Sequence, residues 1–301
     1  MAVDISKLVR YRSAVEDNAR WADFEPREDD IFVCTPAKCG TTWTQTILTS
    51  LFWPAGDQPG TVMQLSPWVD AQFMPVEALH ATLRAQTHRR YIKTHTPADG
   101  IPWYSHAKYI FVARDGRDAF MSMCNHMKRM RAELKAGLNA RVKDEEDVFP
   151  LPDWDGDHHR FFRDWLAQMN HAHTVATYWK HVGEPNVLFV HYNDMKADLD
   201  GEMRRIARFL GIDVPDALWP QAVQRCTFEA MREDTQRMGT FDAFEGGLKG
   251  FIFQGTNGRW RDVLTAEELR SYDEKVGALL TPEAAAWMAG GRTHLTSAAN
   301  P

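Results

Sequence analysis

The chain has 301 residues, 44% hydrophobic and 25% charged, with a formal net charge of −6. That is enough apolar material for a large core and too little positive charge for a general nucleic-acid or acidic-membrane binder. Any anionic ligand must be held locally. No linker, repeat or low-complexity run interrupts residues 1–301, so one domain is expected. The N-terminus alternates charges with apolar residues, without the apolar run of a signal peptide or membrane span, which points to the cytoplasm and to no membrane partner. Cys34, Cys39, Cys124 and Cys226 form no CxxC pair and read as separate reduced thiols rather than a disulfide framework or zinc site.

Apolar spacing predicts a first helix over residues 6–22, within an N-terminal helical segment of about 1–25. Residues 31–34 (IFVC) read as a buried strand, followed by the loop Thr35-Pro36-Ala37-Lys38-Cys39-Gly40 and a helical pattern from Thr41 to Pro54. Further strands are predicted at 90–93, 108–112 and 187–191, with helices at about 117–137, 157–182 and 195–210. The alternation predicts an α/β fold, a central and mainly parallel sheet flanked by helices in a three-layer, P-loop-like arrangement. Segments of about 138–157 and 235–258 read as lid or substrate loops, and about 290–301 as a frayed tail.

In such sheets ligands bind at the carboxyl ends of the strands, where a loop entering a helix offers free backbone N–H groups. Lys38, Gly40, Thr41 and Thr42 stand at such a place and suit a phosphate or phosphosulfate; a solvated lysine with two N-capping threonines is the competing reading. Lys38 precedes the glycine, so this is not a Walker loop. Cys39 lacks the arginine six residues on that a cysteine phosphatase needs, and reads as a small loop residue.

The run TPAKCGTTW resembles the 5′-phosphosulfate loop of the cytosolic sulfotransferases, usually Pro-Lys-Ser-Gly-Thr-Thr-Trp, with Cys39 for the serine and Ala37 inserted. The resemblance implies 3′-phosphoadenosine 5′-phosphosulfate (PAPS) as co-substrate. Lys38 would meet the bridging oxygen, within a loop that includes Cys39 and Gly40, while Thr41, Thr42 and Trp43 would hold the 5′-phosphate and adenine.

The strand at 90–93 ends in Lys93-Thr94-His95, which puts a histidine of suitable pKa for proton removal beside the anion loop, although a strand-end histidine is often structural. The string is similar to the family's Lys-Thr-His and implies His95 as base and Lys93 as stabiliser of the transferring group. This edge is basic where kinases place a metal-binding acid, so fixed positive charge without a metal is expected. Arg114, at the end of the third strand, and Ser122, eight residues on, can form a second phosphate site, or the turn can be a salt-bridged corner. FVARDGRDAFMS resembles the family segment that binds the 3′-phosphate.

Tyr192 falls where the family has an adenine-contacting tyrosine, and Cys226-Thr227-Phe228 stands for its Thr-Ser-Phe, implying cofactor contacts from Cys226 and Phe228. The C-terminal signature departs: Phe253-Gln254 replaces an Arg-Lys pair before Gly255, which leaves Gln254 and Gly255 in the cofactor-binding stretch and Arg259 or Arg261 to compensate. The family dimerisation pattern retains only Thr265, so no oligomeric state follows. His158 and His159 beside Asp157 are adjacent on a helix, face apart, and read as surface residues. Trp68, Phe73, Trp103, Trp154 and Phe161 serve equally well as core or as walls for an apolar or aromatic small-molecule hydroxyl acceptor. The leading reading is sulfuryl transfer from PAPS to an alcohol or phenol; the alternatives are an ATP-dependent kinase and a non-catalytic adenosine-bisphosphate binder.

Overall fold

Runs of Ile, Val, Phe and Tyr that do not alternate with polar residues become strands covered on both faces. In the computed structural model, which describes residues 5–145, 148, 150–168 and 170–294, these are β1 (Ile31–Cys34), β2 (Tyr91–Thr94), β3 (Lys108–Ala113) and β4 (Val187–His191). They pair in parallel in the order β2-β1-β3-β4, with Ile31 opposite both Tyr91 and Lys108 and Tyr109 opposite Val187. The chain leaves β1 to one side for β2 and returns to the other side for β3, so the end of β1 is a switch point with a crevice above it.

Side chains alternate across the sheet and build a core on each face. Phe32, Ile92, Tyr109, Phe111 and Phe189 pack on one side, and Val33, Tyr91, Ile110, Val112 and Leu188 on the other. The second face is covered by α1 (Thr41–Phe52), through Ile47 and Leu51, and by α5 (Leu199–Leu210), through Met203 and Ile206. The first is covered by α2 (Gly116–Arg129), α3 (His158–Gln168), α4 (Asn170–Trp179), α6 (Ala266–Leu279) and α7 (Pro282–Gly290), through Phe120, Phe162, Tyr178, Tyr272 and Trp287. The three-layer α/β expectation holds. No helix among the described residues is long and apolar enough to cross a membrane.

Several expected helices are corrected. Residues 6–22 form no helix beyond two short 3₁₀ turns, Ile5–Lys7 and Asn18–Trp21. The Asn18 amide accepts from Tyr11 N–H and donates to the Val9 and Gly100 carbonyls, while Ser13 Oγ accepts from the N–H groups of Val15 and Glu16. Polar side chains thus capture backbone groups that a helix needs. The helix expected over 117–137 stops at Arg129 and resumes at Ala132–Ala140, because Arg131 N–H donates to the Ala243 carbonyl and Met130 pairs with Phe244. The helix expected over 195–210 is two, Tyr192–Ala197 and α5, since the Asp198 carboxylate caps α5 by accepting from Gly201 N–H. The helical stretch expected at 157–182 is met by α3 and α4, with residue 169 outside the described residues. The 235–258 loop contains short helices at Thr235–Met238 and Gly247–Phe251. The tail from 295 lies outside the described residues.

Candidate active site

The loop between β1 and α1 turns sharply, with Lys38 at φ 69° and Gly40 at φ 105°. A left-handed lysine costs roughly 1–2 kcal/mol. A side chain on Gly40 would also meet the Tyr192 ring at 3.0 Å. Among the described residues no side chain caps α1, and its first turn therefore presents free N–H groups at the positive end of a twelve-residue helix. Thr41 Oγ1 lies 2.6 Å from Thr35 Oγ1. The Cys39 thiol is buried, 3.3 Å from His171 Nε2, and burial pushes it up to about 12, so it is a neutral filler.

His95 follows β2. Its Nδ1 lies 2.7 Å from the Thr35 carbonyl oxygen and 3.0 Å from Thr35 Oγ1. A carbonyl only accepts, so Nδ1 carries the proton and the Nε2 lone pair is free to act as a base. Burial above all, then the Lys93 charge, holds the ring well below its ordinary pKa and therefore neutral. The strand end is anchored by fully buried Asp70, which accepts from His95 N–H (2.9 Å), Thr94 Oγ1 (2.8 Å) and the indoles of Trp21 (3.1 Å) and Trp68 (3.3 Å).

Two lysines share this space. Lys93 Nζ lies 3.5 Å from the Trp68 ring centre, and Trp68 meets His95 edge-on at 4.7 Å. Lys38 Nζ lies 4.8 Å over Phe251 and 3.2 Å from His126 Nδ1. Burial lowers both ammonium groups, Lys93 to about 7 and Lys38 to about 8. For Lys93, Glu16 acts against that fall and Lys38 adds to it; for Lys38, Arg114 adds to it. Positive charges held close, opposed only in part by Glu16 and Asp70, make a place for an anion.

The residues expected to form a second anion position lie between β3 and the 253–259 segment. Arg114 donates through Nη2 to the Thr256 carbonyl (2.9 Å) and through Nε and Nη2 to Asn257 Oδ1 (3.1 and 2.5 Å). Its guanidinium lies 4.1 Å over the Tyr192 ring, whose edge contact with Trp43 (5.3 Å) joins the two anion positions. Asp118, one turn before half-buried Ser122, accepts from Gly258 N–H at 2.6 Å, so this face of α2 looks onto the same segment. Trp43 donates to the Cys226 carbonyl (2.8 Å), and Phe228 packs where a side chain on Gly255 would stand (2.7 Å).

The structure therefore gathers Lys38, Lys93 and His95 at one place and Arg114, Tyr192, Trp43, Phe228 and Gly255 at its neighbour. Gln254 is exposed and joins neither group. Arg259 Nε is sealed from solvent without a partner among the described residues, and both burial and Arg114 disfavour its charge. Of the five aromatics, only Trp68, with Phe73 against it at 5.6 Å, stands beside His95. Trp103 stacks on Tyr109, Phe161 belongs to the core and Trp154 packs on Phe161. His159 is exposed and paired with Glu268, in keeping with its surface reading. The sequence reading missed His126, four residues after Ser122 on α2, a spacing that marks one helix face. It also missed Asp70 and Glu16, for which no local signal exists.

Over residues 28–288 the chain matches the family described as the sulfotransferase domain. A glycolipid sulfotransferase of Mycobacterium bovis is 35% identical, covering 94% of this chain and 95% of that protein. Human sulfotransferase 1C2 is 26% identical over 87% of this chain and 86% of its own. Among solved structures, retinol dehydratase in complex with androsterone and inactive cofactor PAP matches with a TM-score of 0.66 at 19% identity, covering 86% of this chain and 82% of that one. Mouse sulfotransferase SULT7A1 complexed with PAP matches with 0.62 at 23% identity, covering 85% and 86%.

Proposed function

This chain belongs to the sulfotransferase family and moves a sulfuryl group from PAPS to an acceptor hydroxyl, and from that premise we propose that His95 is the base and that the acceptor is an apolar-tailed lipid with a carbohydrate head. The kinase alternative is set aside by the family. The observation that carries the reading is the free Nε2 of a neutral His95, flanked by Lys38 and Lys93 beside the uncapped start of α1.

The residues fit a nucleotide with two anionic ends. Lys38 and the α1 N-terminus suit one, and Arg114 with the orphaned Arg259 Nε suits the other, between which Trp43 and Tyr192 offer aromatic surface. PAPS supplies the activated sulfuryl group. His95 Nε2 takes the acceptor's hydroxyl proton, while Lys38 and Lys93 hold positive charge where negative charge gathers during transfer. Loss of the family Arg-Lys pair at Phe253-Gln254 is compensated by Arg259; Arg261 is exposed and lies against Trp260.

Support for the acceptor comes from two sides. The Mycobacterium bovis relative that matches along nearly the whole chain is a glycolipid sulfotransferase. Beside Trp68, Phe73 and Met74 remain 50% and 46% exposed, an apolar rim next to the base that suits a tail. The cytoplasm remains our compartment, in keeping with four free, buried cysteines. Incubation with PAPS and either octyl β-D-glucoside or 4-nitrophenol should give the sulfated glucoside at the higher kcat/KM; preference for the phenol would overturn this acceptor class.

A pH dependence arises from the lysines. Their folded pKa values lie below the ordinary range, so each loses its proton as pH rises through about 7 (Lys93) and about 8 (Lys38), and with it the attraction for the phosphosulfate. kcat/KM for PAPS, which reports the free enzyme, should therefore decline from pH 7 to 9. The acid limb, set by His95, should lie well below 6.5. A profile flat to pH 9 would contradict the lysine roles.

A further inference from the structure

One histidine at this site takes no part in the proton transfer to His95. His126 Nδ1 lies 3.2 Å from Lys38 Nζ. An ammonium only donates, so Nδ1 accepts, and a neutral ring then carries its proton on Nε2. Burial, with the charges of Lys38 and Lys93, keeps the ring neutral. The Nε2–H has no partner among the described residues and is not sealed from solvent. Phe244 and Phe251, at 4.7 and 5.8 Å, fix the ring, and Phe251 also lies under Lys38.

His95 presents the opposite face. Its Nδ1–H is spent on the Thr35 carbonyl, which leaves Nε2 as an acceptor. The two neutral imidazoles around the Lys38–Lys93 pair thus offer one acceptor and one donor. A monohydric alcohol or phenol, once its hydroxyl donates to His95, brings no second oxygen to meet His126. A sugar or other polyol answers both, since the attacked hydroxyl donates to His95 while a neighbouring oxygen accepts from His126. Lys38 keeps two further N–H groups for the anion.

We propose that His126 is a specificity-determining residue of the acceptor site: its Nε2–H donates to a second oxygen beside the hydroxyl that is sulfated, and so selects a polyhydroxylated head over a simple alcohol. The inference rests on the proposed acceptor class and deepens it. Two substitutions separate this role from mere support of Lys38. His126→Asn keeps an acceptor near Nδ1 but removes the Nε2 donor, whereas His126→Gln places an amide N–H near Nε2.

The test compares octyl β-D-glucoside, below its micellar concentration, with 1-octanol, both as acceptors with PAPS and by calorimetric titration into the protein–PAP complex. The wild type should prefer the glucoside. The glucoside-to-octanol ratio should fall about tenfold in His126→Asn and return toward the wild-type value in His126→Gln, the size expected for one lost hydrogen bond. An unchanged ratio in His126→Asn, an equal loss on both probes, or a wild type without preference would overturn the proposal. Nitrogen-15 spectra of the ligand-free protein give a readout independent of any acceptor: a His126 ring protonated on Nδ1 would also overturn it. Failure to bind PAP would instead count against the reading of the cofactor site.

Discussion

His95→Ala should lower kcat by about 100- to 10,000-fold while leaving the affinity for adenosine 3′,5′-bisphosphate (PAP) within about threefold of wild type, because a positioned general base contributes on that scale and His95 is placed away from the second anion position. Three features make the loss large. The ring is neutral at pH 7, its tautomer is set by the Thr35 carbonyl, and Asp70 anchors its backbone. His126 cannot substitute, since its contact with Lys38 leaves Nε2 protonated and therefore a donor. Single-turnover sulfation, paired with calorimetric PAP titration, separates chemistry from binding; turnover within tenfold of wild type would remove His95 from the mechanism.

Arg259→Met should weaken PAP by about 10- to 150-fold, the equivalent of one lost charge-assisted hydrogen bond, yet change the affinity for adenosine 5′-monophosphate by less than about threefold. The difference isolates the 3′-phosphate. Arg259 has a buried Nε without a partner among the described residues and sits close enough to Arg114 for the two charges to oppose each other, an arrangement that an incoming dianion relieves. Arg261→Met provides the comparison, because Arg261 is exposed. Equal losses for both nucleotides, or a larger loss from Arg261→Met, would assign the compensation elsewhere.

The four strands and their order along the chain were legible because buried parallel strands are short, continuously apolar and bounded by turns; observed and expected limits differ by one residue at most. Lys38, Lys93, His95 and Arg114 were legible for a related reason: each stands at or just beyond the carboxyl end of a strand, and parallel strands bring those ends to a single edge of the sheet. Several failures were decided by distant partners. Asn18 holds the chain at Tyr11 and Gly100 and forbids the expected first helix, and Ala243 draws the backbone of Arg131 out of α2. His126 joins the candidate site only because α2 docks so that it meets Lys38, 88 positions away in sequence. Asp70 needed the close approach of Trp21 and β2. The choice between Arg259 and Arg261 required burial, which two arginines flanking one tryptophan do not disclose.

The central claim, that the two basic clusters form one site for a nucleotide anionic at both ends, is tested most directly by titrating the purified protein calorimetrically with PAP in the absence of metal, and in parallel with ATP plus Mg²⁺. One-to-one, metal-independent binding of PAP that is at least tenfold tighter than that of ATP is the predicted result. Absence of PAP binding, or a preference for ATP with Mg²⁺, would contradict it.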